Sequence, residues 1–72
     1  MNLLDAFQDD DICPFGKHKD ERMADVPDHY LKWYWENCAR QHIHATTPNG
    51  RFARYIFNNR GAIGIDASEM IL

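Results

Sequence analysis

The stretch that most constrains this chain is Pro14-Phe15-Gly16-Lys17-His18-Lys19 followed by Ala24-Asp25-Val26-Pro27-Asp28-His29-Tyr30-Leu31-Lys32-Trp33, a basic turn feeding a helix with strong start signals. Asp25 suits the N-cap, and Asp28 three residues on makes a capping-box pattern with Asp in place of Glu. Pro27 falls in the first turn, where its missing N–H costs nothing, and the two acids suit the positive end of the helix dipole. Tyr30, Trp33, Tyr34 and Cys38 then recur at helical spacing, with Leu31, Trp35 and Cys38 on the adjacent row and Lys32 and Glu36 on a wet side. The apolar stripe is so wide that at least one aromatic must stay partly exposed, and Trp35 is the expected one.

Around this unit the pattern predicts an α+β fold. A small single domain spans residues 1–72, with a β-hairpin, with or without a third short strand, packed on two α-helices. Residues 1–10 are a leader with Leu3, Leu4 and Phe7 at helical spacing, broken by Asp9-Asp10-Asp11. Ile12 to Phe15 is short, apolar and interrupted by Pro14, which suits an edge strand. Gly16 to Asp20 turns, and Arg22 to Val26 returns with Met23 facing inward, so that hairpin and first helix occupy 11–36. After a connector over 41–46, Thr47 caps a second helix with Pro48 at its first position, running over 47–61 to a Gly61 stop. Asn49-Gly50 weakens its first turn and admits a start nearer Gly50. Ile63 and Ile65 alternate as a third strand would, and the C-terminal segment 62–72 ends in a sticky Met70-Ile71-Leu72. Tyr30, Leu31, Trp33 or Tyr34, Phe52, Tyr55 and Ile56 are the expected core, with Phe15 anchoring the hairpin.

A chain of 72 residues buries only about 60% of the surface its unfolded form exposes. Its nine aromatics supply core area but not the deep walls of an enclosed active site. No stretch approaches the roughly 18 apolar residues of a membrane span. The N-terminus lacks the basic start and apolar run of a signal peptide, and Cys13 and Cys38 read as reduced thiols, so a cytoplasmic protein without a membrane partner is expected. The net charge of −3 is segregated: residues 1–36 carry −5, residues 37–65 carry +4, and the last seven carry −2. Such segregation builds either one basic and one acidic surface or two segments that attract each other.

Several clusters compete for a functional reading. Gly16-Lys17-His18-Lys19 can point successive N–H groups at an anion, although it lacks P-loop spacing, and a solvated turn explains it equally well. Arg51 and Arg54 lie side by side on one helix face and, with Arg40, Arg60, His42 and His44, form the best phosphate-binding patch. Against that, small DNA-binding domains are usually basic overall. Trp33-Tyr34-Trp35 cannot form one stacking platform, because consecutive helical positions splay about 100° apart. Cys13, His18, Cys38, His42 and His44 include soft metal ligands, but the spacing of Cys13 and His18 is unusual for zinc, and no metal or other cofactor is expected. No nucleophile–base signature surrounds either cysteine, so no enzyme is expected.

Phe15-Gly16-Lys17-His18-Lys19 and Asp25-Val26-Pro27-x-x-Tyr30-Leu31-x-Trp33 resemble the FGK(H/Y)KG…ADVPxxYLxW pattern of small domains that follow exonuclease domains of the exodeoxyribonuclease X type. The pattern also occurs in free-standing bacterial and phage proteins described as quorum-sensing-regulated virulence factors. The resemblance covers residues 13–35 and departs from the pattern at Asp20, where the family has glycine. It transfers no catalytic residue. Together with the basic 37–65 segment, it points to a non-catalytic accessory module that binds nucleic acid or a nucleic-acid-processing enzyme, and the charged and aromatic residues Lys17, Lys19, Trp35, Arg40, Arg51, Arg54 and Arg60 are the expected contacts. The alternative is a small phage-type or regulatory protein that binds and inhibits a host protein. A homodimer formed through Met70-Ile71-Leu72 is the third possibility.

Overall fold

Proline marks the start of the two longer helices, and a glycine stops the last helical turn. The computed structural model describes residues 3–65. Asp28–Asn37 forms α1, Pro48–Asn58 forms α2, and Arg60–Ile63 forms a single-turn α3. A 3₁₀ turn over Met23–Asp25 precedes α1, and another over Ala39–His42 follows it. Among the described residues no helix is long and apolar enough to cross a membrane.

The expected α+β architecture is not formed: the fold is helical, with no strand among the described residues. Of the hairpin there remains one antiparallel bridge between Ile12 and Arg22. Around it the Cys13 N–H donates to the Glu21 carbonyl and the Met23 N–H to the Asp11 carbonyl, each at 2.8 Å. The ladder stops there for two reasons. Toward the turn, left-handed Asp20 and not Glu21 donates to the Cys13 carbonyl while the Glu21 N–H turns back to the His18 carbonyl, and on the other side the chain coils at once into the 3₁₀ turn that buries Met23. The third strand is likewise replaced. Ile63 closes α3, Gly64 takes φ +88°, and the Gly64 and Ile65 N–H groups both return to the Arg60 carbonyl, a left-handed helix stop. Gly61 lies inside α3 instead of ending α2. The Met70-Ile71-Leu72 tail falls outside the described residues.

The start of α1 also differs from expectation. Val26 and Pro27 stay extended, Pro27 is the N-cap, and no side chain caps the helix. The Pro27 carbonyl accepts the first two returning N–H groups, from Tyr30 and Leu31 at 3.1 Å. Asp25 ends the 3₁₀ turn and faces Arg22 at 3.4 Å, so the capping box does not form. Thr47 and Pro48 open α2 as predicted. Gly50 does not delay that start; it is buried, and a methyl group on it would overlap the Ala45 carbonyl oxygen. Glycine there lets the connector close onto the helix.

Leu31, Tyr34 and Trp35 of α1 pack against Phe52, Tyr55 and Ile56 of α2 in one buried cluster. Phe15, Phe52 and Tyr34 form a near-parallel set of rings, with centroids 5.6 Å apart for Phe15–Phe52 and 4.6 Å for Tyr34–Phe52. Phe15 thus anchors the basic turn, although no hairpin carries it. Each such ring pair contributes roughly 0.5–1.5 kcal/mol beyond its buried area.

The leader is not helical, yet it docks. Ala6 and Phe7 are buried, and Asn58 exchanges hydrogen bonds with the Leu3 backbone at 2.6 and 2.9 Å. Asp9 accepts the Tyr55 hydroxyl at 2.9 Å.

Candidate functional site

The basic turn and the second turn of α1 meet over a shallow hollow of about 430 Å³, lined by Gly16, Lys17, Tyr30 and Trp33. Gly16 holds φ +83°, and a Cβ there would lie 2.5 Å from the Tyr30 hydroxyl oxygen. Only glycine gives both the left-handed backbone and the close approach that brings the turn down onto the ring. Asp20, at the far end of the turn, is also left-handed, at φ +74°. His18 braces the middle: its Nδ1 lies 2.8 Å from Glu21 Oε2, and its ring meets the edge of Tyr30 at 4.7 Å. Tyr30 and Trp33 stand 5.7 Å apart and tilted by 38°. Lys17 and Lys19 are exposed and make no ion pair among the described residues.

The exposed aromatic is Trp33, 56% accessible, and not Trp35, which is 1% accessible and sits in the core. The two indoles are two positions apart, about 200° around the helix, so one must face outward. A polar neighbourhood marks Trp33 as that one. It shares its side of α1 with His29, Glu36 and Asn37, all exposed, whereas Trp35 shares its side with Leu31.

The arginine patch does not assemble. Arg54 is buried, and its guanidinium donates to the carbonyls of Asp5, Ile43 and Ala45. Arg51 lies over the Phe7 ring at 4.5 Å and pairs with Asp5 at 3.3 Å without hydrogen-bond geometry. Arg60 covers Phe57 at 4.4 Å and donates to its carbonyl. Arg40 is exposed on the 3₁₀ turn after α1. Of the two outcomes that the charge segregation allowed, mutual attraction holds at Asp5, which faces both Arg51 and Arg54.

The soft ligands do not gather either. Among the described residues no three His, Cys, Asp or Glu side chains meet where they could hold a metal ion. Both cysteines are free. Cys13 is buried with its thiol on the Phe15 carbonyl at 3.2 Å, and burial pushes its pKa up from the ordinary 9.0. The Cys38 thiol faces the Tyr34 hydroxyl at 3.9 Å, and that hydroxyl donates to Asn49 Oδ1 at 2.6 Å. Burial, reinforced by Cys38, raises the Tyr34 phenol well above its ordinary value, and burial with the Asp9 hydrogen bond does the same for Tyr55.

A comparison with curated proteins and with solved structures returns no match. A family model does match, over residues 5–41, and this span holds every residue that lines the hollow while leaving out Arg51, Arg54 and Arg60. That span is half of the chain, which therefore belongs to the family described as "Putative quorum-sensing-regulated virulence factor".

Proposed function

We propose that the domain is a non-catalytic accessory module that binds nucleic acid through the hollow between the basic turn and α1. One observation carries the reading: an exposed indole, Trp33, lines one depression with Lys17, a lysine that makes no ion pair among the described residues. An aromatic face beside an ammonium group suits a base and its phosphate. The motif's likeness to exonuclease-attached domains points the same way. Lys19, on the same turn, adds a second cation; of the exposed arginines among the described residues, Arg22 faces Asp10 and Asp25 while Arg40 makes no ion pair there.

A nucleic-acid-processing enzyme or a host protein is the second reading, favoured by the loss of the arginine face. With Arg51 and Arg54 held by the leader, the available cationic surface is small and the chain keeps its net charge of −3. Fluorescence anisotropy of labelled DNA and RNA across a salt series separates the two. Lys17→Glu/Lys19→Glu is the suitable control, because replacing Arg54 would destabilise the domain as well as remove a charge. Saturable binding that weakens with salt and disappears in the control supports the nucleic-acid reading. Flat curves at every salt remove it and leave the protein partner.

A further inference from the structure

Resting on that reading, we infer that the ligand is single-stranded, held by one unpaired base on Trp33 with its phosphate at Lys17. The ring geometry carries the first half. Tyr30 and Trp33 are tilted by 38° and form an open corner, and the hollow they share with Gly16 and Lys17 is about 430 Å³. That corner offers one ring face, enough for one base. A base inside a duplex has both faces covered by its neighbours, so only an unstacked base can lie on the indole.

The charge distribution carries the second half. Tracking a duplex needs a row of cations along the phosphates, and the helix that carried that row in the sequence has spent it. Arg54 is buried against three carbonyls, and Arg51 faces Asp5. Lys17 and Lys19 remain near the hollow, enough for one or two phosphates of a single strand. Glu36, one turn along α1 from Trp33, adds an opposing charge. The complex is accordingly weak, with a salt slope of roughly −0.7 per phosphate contacted.

The intact chain reports on this directly, because Trp33 is exposed while Trp35 is enclosed. Indole emission is titrated with a single-stranded DNA of about ten nucleotides, within the range of single-strand site sizes, and with a blunt hairpin of the same composition whose loop is a base-free linker, so that every base is paired. The expected result is quenching by the single strand and little by the hairpin. Trp33→Ala should weaken the single strand about tenfold, and Trp33→Phe should keep most of the affinity. Lys17→Glu, a surface change remote from the core, should flatten the salt dependence. Hairpin binding as tight as single-strand binding, or affinity indifferent to Trp33→Ala, overturns this inference and leaves the nucleic-acid reading standing. Absence of binding to either DNA and to the matching RNA overturns both.

Discussion

The Nε–H of Arg54 donates to the backbone carbonyl of Asp5 at 2.8 Å, a bond that spans 49 residues of sequence. The same guanidinium reaches the Ile43 and Ala45 carbonyls at 3.0 and 2.7 Å, so one side chain ties leader, connector and α2 together. The arrangement explains how a charged group is tolerated at 8% exposure. Its donors meet carbonyls that would otherwise lack partners, and the Asp5 carboxylate lies 3.6 Å away.

Arg54→Ala should therefore destabilise the domain by roughly 3 kcal/mol, because it strands the buried Ile43 carbonyl and removes two further hydrogen bonds and a charge pair. Arg51→Gln, at a half-exposed pair, should cost under about 1 kcal/mol. Urea unfolding of both variants checks the contrast. Equal losses would mean that the Arg54 tie is not what holds the leader.

Asp20 is left-handed at φ +74°, a conformation that costs a non-glycine residue about 1–2 kcal/mol. Asp20→Gly should relieve most of that cost. Glycine loses more chain entropy on folding, so the net gain is up to about 1 kcal/mol. It appears as a higher midpoint in thermal unfolding followed by circular dichroism. An unchanged or lowered midpoint would show that the aspartate side chain stabilises the turn by other means.

Stability should fall in alkali. Burial raises the Tyr34 and Tyr55 phenols in the folded state above their ordinary value of 10. The folded chain then holds more protons than the unfolded chain above that pH. The stabilisation is complete below about pH 10 and is lost as pH climbs toward the folded-state values. Denaturant midpoints measured from pH 8 upward should decline beyond about pH 10. Tyr55→Phe, which removes the hydroxyl held by Asp9, should flatten the decline.

The two thiols should differ in reactivity. Cys13 is wholly buried with a raised pKa, and Cys38 is half-buried at the C-terminal end of α1. Alkylation with iodoacetamide at neutral pH, read by mass spectrometry, should modify Cys38 first and Cys13 only on the unfolding timescale. Labelling of Cys13 as fast as Cys38 would contradict the burial.

Much of the local structure was legible because local chemistry decides it. Pro48 after Thr47 opened α2 where the pattern placed it, and Tyr34, Phe52, Tyr55 and Ile56 entered the core. The hairpin was misread because an apolar run bounded by turn residues has the same signature as a strand. Only one bridge formed, because the return arm turns at Asp20 on one side and enters the 3₁₀ turn at Met23 on the other. The outward aromatic was assigned to Trp35 because adjacent rows of a wide apolar stripe look alike from spacing alone. The polar company of Trp33 was the usable clue.

Local pattern was enough to place the basic turn, the two main helices and the membership in a family. All of these rest on interactions within a few residues or on motif order. What the arginines do was settled by tertiary packing. Arg54 can serve a phosphate or the chain's own carbonyls equally well by its chemistry. It serves the carbonyls because folding brings Asp5, Ile43 and Ala45 to it, and buried polar groups of a domain this small must find their partners inside it.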